Sequence, residues 1–394
     1  MNSGSQKQSG GKRVVVVGAG GNIGSHLASE MARIPGIGSV TLIDSGVYEA
    51  KDIWGQAITL RDVGKWKALV QARRLRAINP HVEVLAITEP LERVPLGYLD
   101  AEVILSGLDS RLDRQTLQSA AWHLNVILID GGVDGANFLA RANVYRPGAD
   151  SPCLECAWSQ QDYEHLEQSY PCRGNAAPPA TNAPSALGAL AASLEALECR
   201  KLLSGLADRA LVSRQVLLDA MFHKHYVTSY TRNPYCRFDH QIWDVGILPG
   251  AAKLCLKNAL ALGSAEPGDA PASTSLRVAG GHFVQGLTCQ ACGRRKRLLR
   301  LEASLRTADL KCGRCGGPTV AAGFDRLERL ERRALSMRVL GRSLANLGLR
   351  DRDVISIEGP RGECHYELTM TDGDRPELTS ALAGASDVTN IAPV

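Results

Sequence analysis

The first part of the chain contains a glycine-rich turn that is suited to binding phosphate. Gly18, Gly20, Gly21 and Gly24 follow a run of valines in the stretch RVVVVGAGGNIGS, which begins at position 13. Glycines let the backbone approach a phosphate closely, and the helix after them offers free N–H groups and a partial positive charge. Asp44 ends the next apolar run, at the spacing where an acid holds a ribose hydroxyl. The pattern predicts a nucleotide site but does not distinguish ATP from a nicotinamide dinucleotide.

Three further side chains are candidates for the same site. Lys67 begins a predicted helix and can neutralise triphosphate charge, although a solvent-exposed lysine fits that position equally well. Asp109 follows a predicted parallel strand, so it lies at the ligand edge of the sheet, where it either holds Mg²⁺ or caps the next helix. Arg114, about one turn later, either reaches the same edge or is exposed.

Cysteine spacing predicts a metal site near the C-terminus. The pairs Cys289/Cys292 and Cys312/Cys315 are separated by 19 residues, and a glycine follows each pair. This spacing is typical of a zinc ribbon. Between the pairs lies RRKR at 294–297. Because no aromatic residues are interleaved with these charges, the pattern favours a solvated knuckle or a protein-docking face over a nucleic-acid site.

The elements that position these residues follow from hydrophobic periodicity. Strands are predicted at 14–17, 40–43, 82–86, 103–105 and 126–129, and helices at 23–33, 65–77 and 112–123. This alternation predicts an α/β fold with a doubly wound, Rossmann-like parallel sheet. An antiparallel extension is expected from 138–145, 215–219 and 225–230, with a long helix at 185–203 that Gly205 ends.

Composition narrows the class of protein. The chain of 394 residues is 44% hydrophobic and 22% charged, which is typical of a globular protein. A formal net charge of +4 is too small to imply a nucleic-acid partner, and no apolar run approaches the ~20 residues that cross a bilayer. Six of the eleven cysteines form three CxxC pairs, and this spacing, without an apolar leader, favours metal or thiol chemistry over disulfides. We therefore expect a cytoplasmic protein without a membrane partner.

Several motifs together resemble one family. GAGGNIGS, LID, VGKWK, INPH and LDSRLDR occur in the order and spacing of the ThiF/MoeB/HesA-like, ubiquitin-activating (E1-like) adenylyltransferases, over about residues 13–240. The resemblance implies that Mg-ATP adenylates the C-terminal glycine of a ubiquitin-like protein. It implies that the four glycines hold ATP phosphates, Asp44 the ribose, Lys67 a phosphate and Asp109 Mg²⁺. It also implies a symmetric homodimer.

Two departures from the family pattern concern the phosphate contacts. Where the family has a second acid after LID, this chain has Gly46. The family motif NLxRQ reads DIWGQ here, so that Asp52 replaces the asparagine and Gly55 the phosphate-binding arginine, while Gln56 is kept. Arg61, a residue of a partner or a modified activity would account for the lost arginine.

The resemblance also assigns roles to cysteines of the first half. The family often holds a structural zinc with two CxxC pairs, and the equivalent residues are Cys153, Cys156, Cys236 and His240, with Asp239 as the less favoured fourth ligand. Separately buried thiols are the alternative. Cys172 lies in the loop that, in several branches, carries the thioester cysteine; a lowered pKa beside Arg173 would make it a nucleophile, and an incidental loop thiol is the alternative.

These assignments divide the chain into units. We predict a disordered tail at 1–12, the adenylation domain at 13–245 with a crossover loop at 157–185, and a linker at 246–280. A zinc ribbon at 281–320, a small docking module at 321–370 and a flexible tail at 371–394 follow. The module is expected to contain an amphipathic helix over 325–347 and strands at 354–357 and 365–368.

Three classes of function are compatible with these residues: activation of a carrier protein, with two possible outcomes, oxidoreduction, and a non-catalytic scaffold. The favoured one is ATP-dependent activation of a ubiquitin-like protein, with transfer through Cys172 to a conjugating enzyme; adenylation of a sulfur carrier for thiamine, molybdopterin or tRNA thiolation is the alternative. An NAD(P)-dependent oxidoreductase fits the glycine turn but leaves Lys67 and Asp109 without a role. A non-catalytic scaffold is the third, because the changes at Gly46 and Gly55 affect the phosphate contacts.

Overall fold

The structure is a computed structural model that describes residues 11–167, 183–264 and 270–371. Its larger sheet has eight strands in the order β3-β2-β1-β4-β5-β6-β7-β8. The strands are β1 (Lys12–Val17), β2 (Ile37–Ile43), β3 (Glu83–Ile87), β4 (Val103–Ser106), β5 (Ile127–Asp134), β6 (Leu139–Tyr145), β7 (Arg214–Asp219) and β8 (Lys224–Ser229). The helices of this part are α1 (Gly24–Met31), α2 (Lys67–Ile78), α3 (Arg111–His123), α4 (Gln160–Glu167) and α5 (Ser185–Leu203).

The parallel half of this sheet is buried on both faces. Val14 and Val16 of β1 pack against α1, α2 and α5, whereas Val15 and Val17 pack against α3. The strand β1 pairs in parallel with β2 and β4, so it lies in the middle of the sheet. Burial on both faces explains the uninterrupted valine run, because a parallel strand covered by two helix layers has no solvent-facing side. The predicted doubly wound α/β fold is confirmed.

The strand β5 is longer than predicted. It continues through Gly131 and Gly132 to Asp134 and pairs there with β6 in antiparallel register. Two glycines normally interrupt a strand pattern, but here Gly131 leaves room for a helix: a Cβ at this position would lie 1.9 Å from the Glu195 carboxylate on α5. The predicted antiparallel extension through β6, β7 and β8 is confirmed.

The C-terminal part forms a second unit with its own core. A five-stranded sheet has the order β15-β10-β16-β17-β9, and a smaller sheet joins β12, β11 and β13, with β14 also paired to β11. The elements are β9 (Val245–Leu248), α6 (Leu256–Ala261), β10 (Ser275–Val278), β11 (Phe283–Cys289), β12 (Arg295–Leu301), β13 (Thr319–Val320), β14 (Arg326–Leu327), β15 (Arg329–Glu331), α7 (Met337–Leu340), β16 (Val354–Gly359) and β17 (Gly362–Leu368).

The linker predicted at 246–280 is wrong for the residues that the structure describes. This range contains most of β9, all of α6 and all of β10, and Leu256, Leu260 and Leu276 are fully buried. The stretch at 263–275, which is rich in glycine, serine and proline, joins α6 to β10, and its residues 265–269 lie outside the described residues.

The helix predicted over 325–347 is also wrong. The strands β14 and β15 occupy its first half, and α7 has only four residues. Leu327 and Leu330 are three apart, which matches a helical face, but they serve two different sheets. Leu327 pairs with Phe283 in β11, and Leu330 pairs with Leu276 in β10. Helical periodicity therefore arises here from two short strands in sequence.

The loop predicted at 157–185 begins with helix α4, and its residues 168–182, with Cys172, lie outside the described chain. The tails predicted at 1–12 and 371–394 lie almost entirely outside it as well. The longest described helix, α5, has 19 residues, and no helix of the described chain combines the length and apolarity that a membrane crossing requires.

Candidate functional site

The carboxyl ends of β1, β2, β3 and β4 surround a cavity of about 890 Å³. Ligands of doubly wound sheets bind at this edge. Of the predicted nucleotide-binding residues, those that line the cavity are Gly18, Gly21, Asp44, Gln56, Lys67 and Asp109. Ala183 and Pro184, which follow the undescribed residues 168–182, line it as well.

The four glycines have two different roles. Gly18 has a φ of +73° and lines the cavity together with Gly21. Gly20 and Gly24 do not line it, and they allow close packing instead. A Cβ on Gly24 would lie 2.0 Å from the Gly18 carbonyl oxygen, and one on Gly20 would lie 2.3 Å from Lys67 Cβ. The structure thus places only two of the four predicted glycines at the cavity surface.

Asp44 fixes the loop that follows β2. Its Oδ2 accepts a hydrogen bond from Gly20 N at 2.8 Å, and its Oδ1 accepts one from Gly46 N at 2.8 Å. A Cβ on Gly46 would lie 3.1 Å from both Asp44 Oδ1 and Lys67 Cδ. The Lys67 side chain therefore occupies the space that the family's second acid would need at this position.

Lys67 points into the cavity region rather than into solvent. Its Nζ lies 3.5 Å from Asp52 Oδ2 and 5.3 Å from the centroid of the Tyr48 ring. Its side chain is only 15% exposed, which excludes the alternative of a solvated lysine. Gln56 Nε2 donates to Asp52 Oδ1 at 3.2 Å. Asp52, which sequence reasoning treated as a loss of the family's asparagine, thus holds two predicted site residues.

The cation that the sequence offered in place of the lost arginine does not line the cavity, whereas another cation of the same connection does. Arg61 is exposed and does not line the cavity. Lys51 does line it, paired with Glu49 at 2.9 Å. Nothing in the sequence singled out Lys51, because it lies in the short 3-10 helix Ala50–Trp54 rather than at the position of the family arginine.

Three carboxylates line one side of the cavity. Asp109 is exposed, and Asp113 and Glu92 line the cavity with it. Burial raises the pKa of Asp113, and the negative charges of Glu92 and Asp109 raise it further. Carboxylate oxygens are the ligands that Mg²⁺ prefers, and a bound cation would relieve this repulsion. Asp113 was missed by sequence reasoning, although it lies four residues after Asp109 at the start of a predicted helix.

Arg114 does not reach the cavity. Its Nη1 lies 2.6 Å from Asp130 Oδ2, and its Nη2 donates to the Leu108 carbonyl. Arg141 binds the same carboxylate at 3.0 Å. The prediction that Arg114 contacts the nucleotide is therefore not matched by its position; it instead anchors the strand-to-helix turn that carries Asp109.

The first cysteine set converges as predicted. One ligand atom from each of Cys153, Cys156, Cys236 and His240 lies within 4.8 Å of the others. His240 Nδ1 bonds to the Phe238 carbonyl at 2.8 Å, which leaves Nε2, 3.5 Å from Cys156 Sγ, as the free ligand atom. Burial lowers the pKa of His240 and so favours the neutral ring that binds metal. Asp239 is directed elsewhere, towards His123 at 3.5 Å. These donors fit a structural zinc ion.

The second set forms two knuckles of a zinc ribbon. One ligand atom from each of Cys289, Cys292, Cys312 and Cys315 also lies within 4.8 Å of the others. The glycines after the two pairs, Gly293 and Gly316, have φ near +70°, which lets the chain turn back around the sulfurs. Hydrogen bonds from Arg314 N and Cys315 N lower the pKa of Cys312 to about 6. A thiolate is the form that binds zinc.

The doubly wound sheet, with a cavity at the carboxyl ends of its strands, defines the class of Rossmann-like α/β proteins. Within that class, the sequence profile of the ThiF family matches residues 1–238, and the chain belongs to this family. The E1-like superfamily predicted from the motifs is thereby confirmed.

Three known relatives cover between 38% and 58% of the chain. The Escherichia coli sulfur carrier protein ThiS adenylyltransferase is 28% identical over 201 residues, 50% of this chain and 74% of the relative. The catalytic subunit of the yeast (Saccharomyces cerevisiae) NEDD8-activating enzyme E1 is 29% identical over 38% of this chain and 54% of the relative. The solved structure of E. coli MccB with ATP is similar with a TM-score of 0.48 and 24% identity, over 58% of this chain and 65% of that one.

Proposed function

We propose that this protein uses Mg-ATP to adenylate the C-terminal carboxylate of a small ubiquitin-like or sulfur-carrier protein. The observation that carries this proposal is the cavity itself. In it, Gly18, Gly21, Asp44, Lys67 and Asp109 come from the connections that follow β1, β2 and β4 and meet at the ligand edge of the sheet. Membership of the ThiF family, with adenylyltransferases among its relatives, supports the same activity.

The proposed reaction needs charge stabilisation more than a protein base. A carrier carboxylate oxygen attacks the α-phosphorus of ATP, the bond to the bridging oxygen of the β-phosphate breaks, and pyrophosphate leaves. Lys67 and Lys51 would offset the negative charge that develops on the phosphates. Asp109, with Asp113 and Glu92, would hold Mg²⁺, which neutralises the phosphate oxygens.

Two fates of the adenylate are open. In ubiquitin-like conjugation, the Cys172 thiolate attacks the acyl carbonyl, a thioester forms and AMP leaves before transfer to a conjugating enzyme. In the sulfur-carrier version, a sulfur donor takes the acyl group instead. The yeast relative is a NEDD8-activating subunit and the E. coli relative acts on ThiS, so both versions are supported. In either version we propose a homodimer formed through the first domain.

Pyrophosphate exchange tests the activity. We expect a carrier-dependent exchange of labelled pyrophosphate into ATP that is lost in Asp109→Ala and kept in Asp208→Ala, a matched change at an exposed aspartate outside the cavity. A pull-down with ATP would identify the glycine-ended carrier. A chain that exchanges no pyrophosphate with any carrier would instead be a scaffold, and one that binds NAD(H) in the cavity would be an oxidoreductase.

A thiol-sensitive adduct tests the role of Cys172. The adduct with the carrier should disappear in Cys172→Ala and persist in Cys199→Ala. Cys199 is a suitable control because it is fully buried on α5, where burial and then the Glu195 charge raise the pKa of its thiol to about 12. An adduct that survives Cys172→Ala would exclude this cysteine as the acyl acceptor.

A further inference from the structure

The C-terminal unit contacts one wall of the nucleotide cavity. We call residues 89–99, between β3 and β4, the wall segment. Its first four residues, Glu89, Pro90, Leu91 and Glu92, line the cavity. The contacts come from the turn at 350–353, immediately before β16, which lies far outside the part of the chain that the ThiF profile matches.

Arg350 makes the contact nearest to the cavity. Its Nη1 lies 3.0 Å from Glu89 Oε2, and its Nη2 donates to the Arg93 carbonyl. A single guanidinium thus holds both the acidic end and the middle of the wall segment. This forked geometry is one that an arginine provides and a lysine does not.

Arg352 holds the far end of the wall segment through its backbone and its side chain. Gly97 N donates to the Arg352 carbonyl at 2.9 Å, and Arg352 Nη2 donates to the Gly97 carbonyl at 2.5 Å. A Cβ on Gly97 would lie 2.8 Å from the Arg352 oxygen, so the approach requires glycine. Arg352 has a φ of +65°, an unfavourable conformation for a non-glycine residue that persists where surrounding contacts fix it.

The wall segment and β16 also share a buried apolar cluster. Leu96 and Leu99 of the wall segment belong to one buried cluster with Val354 of β16 and Trp243. The wall segment is therefore fixed by apolar packing as well as by the two arginines. At its cavity-facing end, the polar contact that a side chain of the C-terminal unit makes with the Glu89 carboxylate is this ion pair with Arg350.

We propose that Arg350 is a positioning residue for the nucleotide site, through which the appended C-terminal unit sets the affinity for Mg-ATP. The proposal rests on the proposed use of ATP. Seven carboxylates of the described residues line the cavity, and Glu89, Glu92, Asp109 and Asp113 are four of them. With Arg350 in place, Glu89 is neutralised and the wall segment is held; without it, an unpaired carboxylate faces the triphosphate and repels it.

The decisive variants are Arg350→Ala, Arg350→Lys and the double change Glu89→Gln with Arg350→Ala, each in the full chain. For Arg350→Ala we expect the Kd for Mg-ATP, measured by calorimetry, to rise roughly tenfold, as is usual for coupled neighbours. The maximal exchange rate at saturating ATP should change by less than about twofold, because the residue touches neither substrate nor reacting atoms. Arg350→Lys should recover part of the affinity, and Glu89→Gln should recover most of it.

Arg329→Ala is the matched control. Arg329 pairs with Glu358 at 2.9 Å in the same C-terminal unit, on the β15 side of its sheet and outside the wall segment. It should bind Mg-ATP like the parent protein. Amide hydrogen exchange of residues 91–99 gives a second readout that needs no nucleotide: Arg350→Ala should speed it, and Arg329→Ala should not.

The outcomes separate this proposal from the proposed function. If the parent protein binds Mg-ATP but exchanges no pyrophosphate with any carrier, the adenylation proposal fails. The role of Arg350 is then still tested by the Kd for Mg-ATP and by amide hydrogen exchange of residues 91–99. If Arg350→Ala leaves both the Kd and the exchange of 91–99 unchanged, the positioning role is wrong. It is equally wrong if Glu89→Gln fails to restore affinity, because the charge of Glu89 would then not be what Arg350 controls.

Discussion

The two halves of the molecule differ in how their structure is encoded. In the first, the strands of the parallel sheet are buried on both faces and separated by amphipathic helices, so each element is visible as a local pattern. In the second, β13 and β14 have two residues each and β15 has three, and each pairs with a strand distant in sequence. Elements that short are fixed by their partners rather than by their own pattern, which is why the helix over 325–347 was mispredicted.

The functional site, in contrast, depends on residues of both halves. The cavity belongs to the first half, but the second half holds its wall segment through Arg350 and Arg352. The chemistry-bearing residues and the residues that support them therefore come from different halves. Four predictions test this division, taken in order of the size of the expected effect.

Loss of zinc should affect the two halves unequally. We expect two equivalents of zinc per chain by elemental analysis, and one in Cys312→Ser or Cys153→Ser. Around the ribbon's cysteines, none of residues 290–293 and 313–317 is buried, so these turns depend on a metal contribution on the order of 10 kcal/mol. The first site also rests on an aromatic contact, with Trp122 and His240 centred 4.8 Å apart. Cys312→Ser should therefore unfold the ribbon, whereas Cys153→Ser should lower overall stability without local unfolding.

Amide exchange over 289–294 and 311–317, the turns that carry the four cysteines, is the measurement for the ribbon. Strong protection that persists in metal-free Cys312→Ser would mean that the ribbon has a sufficient core without its metal. The ribbon would then not differ from the first half of the molecule in its dependence on metal.

Removing the largely buried charge of Lys67 from the cavity should strongly reduce activity without unfolding the protein. Lys67→Met should reduce pyrophosphate exchange by about 10²- to 10³-fold, the usual cost of losing one charge-stabilising group. Because Asp52 would be left unpaired, the double change Asp52→Asn with Lys67→Met should be the more stable of the two by thermal unfolding while remaining inactive. Retained exchange in both variants would exclude Lys67 from the phosphate site.

The extent of sequence-based prediction follows the same division. Asp44, Lys67 and Asp109 were found because each follows or begins a recognisable element, and the ribbon was found because cysteine spacing is itself the signal. Lys51, Asp113 and Glu92 were missed because they gain a role only when three loops meet at the sheet edge. Arg350 could not have been found, since its partner Glu89 lies 261 positions away and no local pattern links them.

A leucine in the range mispredicted as a linker tests the corrected fold directly. Leu276 on β10 is fully buried in the second core, so Leu276→Ala should lower the free energy of unfolding by about 2–5 kcal/mol. Leu310→Ala, at a position that is 41% exposed, should cost less than about 1 kcal/mol. In a true linker the two changes would be equally mild, and denaturant unfolding distinguishes these cases.

The smallest expected effect concerns pH and the turn that carries Arg350. Asp353 is buried, and burial raises its pKa to about 6, although its carboxylate accepts a hydrogen bond from Arg350 N at 2.6 Å. The unfolded chain titrates near the ordinary value of 3.8. Between these values the folded state binds more protons than the unfolded state, so the contribution of Asp353 to stability is present below about pH 4 and is lost as the pH rises through about 6.

Asp353→Asn removes the titration of this one group. The difference between the variant and the parent protein therefore separates it from the titrations of the other carboxylates. The difference in unfolding free energy between Asp353→Asn and the parent should shift in favour of the variant by about 2 kcal/mol from pH 4 to pH 7. Denaturant midpoints at the two pH values measure it. A difference that stays constant with pH would show that Asp353 titrates alike in the folded and unfolded chain. The turn would then be more open to water than its burial indicates, and the support that it gives to the wall segment would be weaker than the contacts of Arg350 and Arg352 imply.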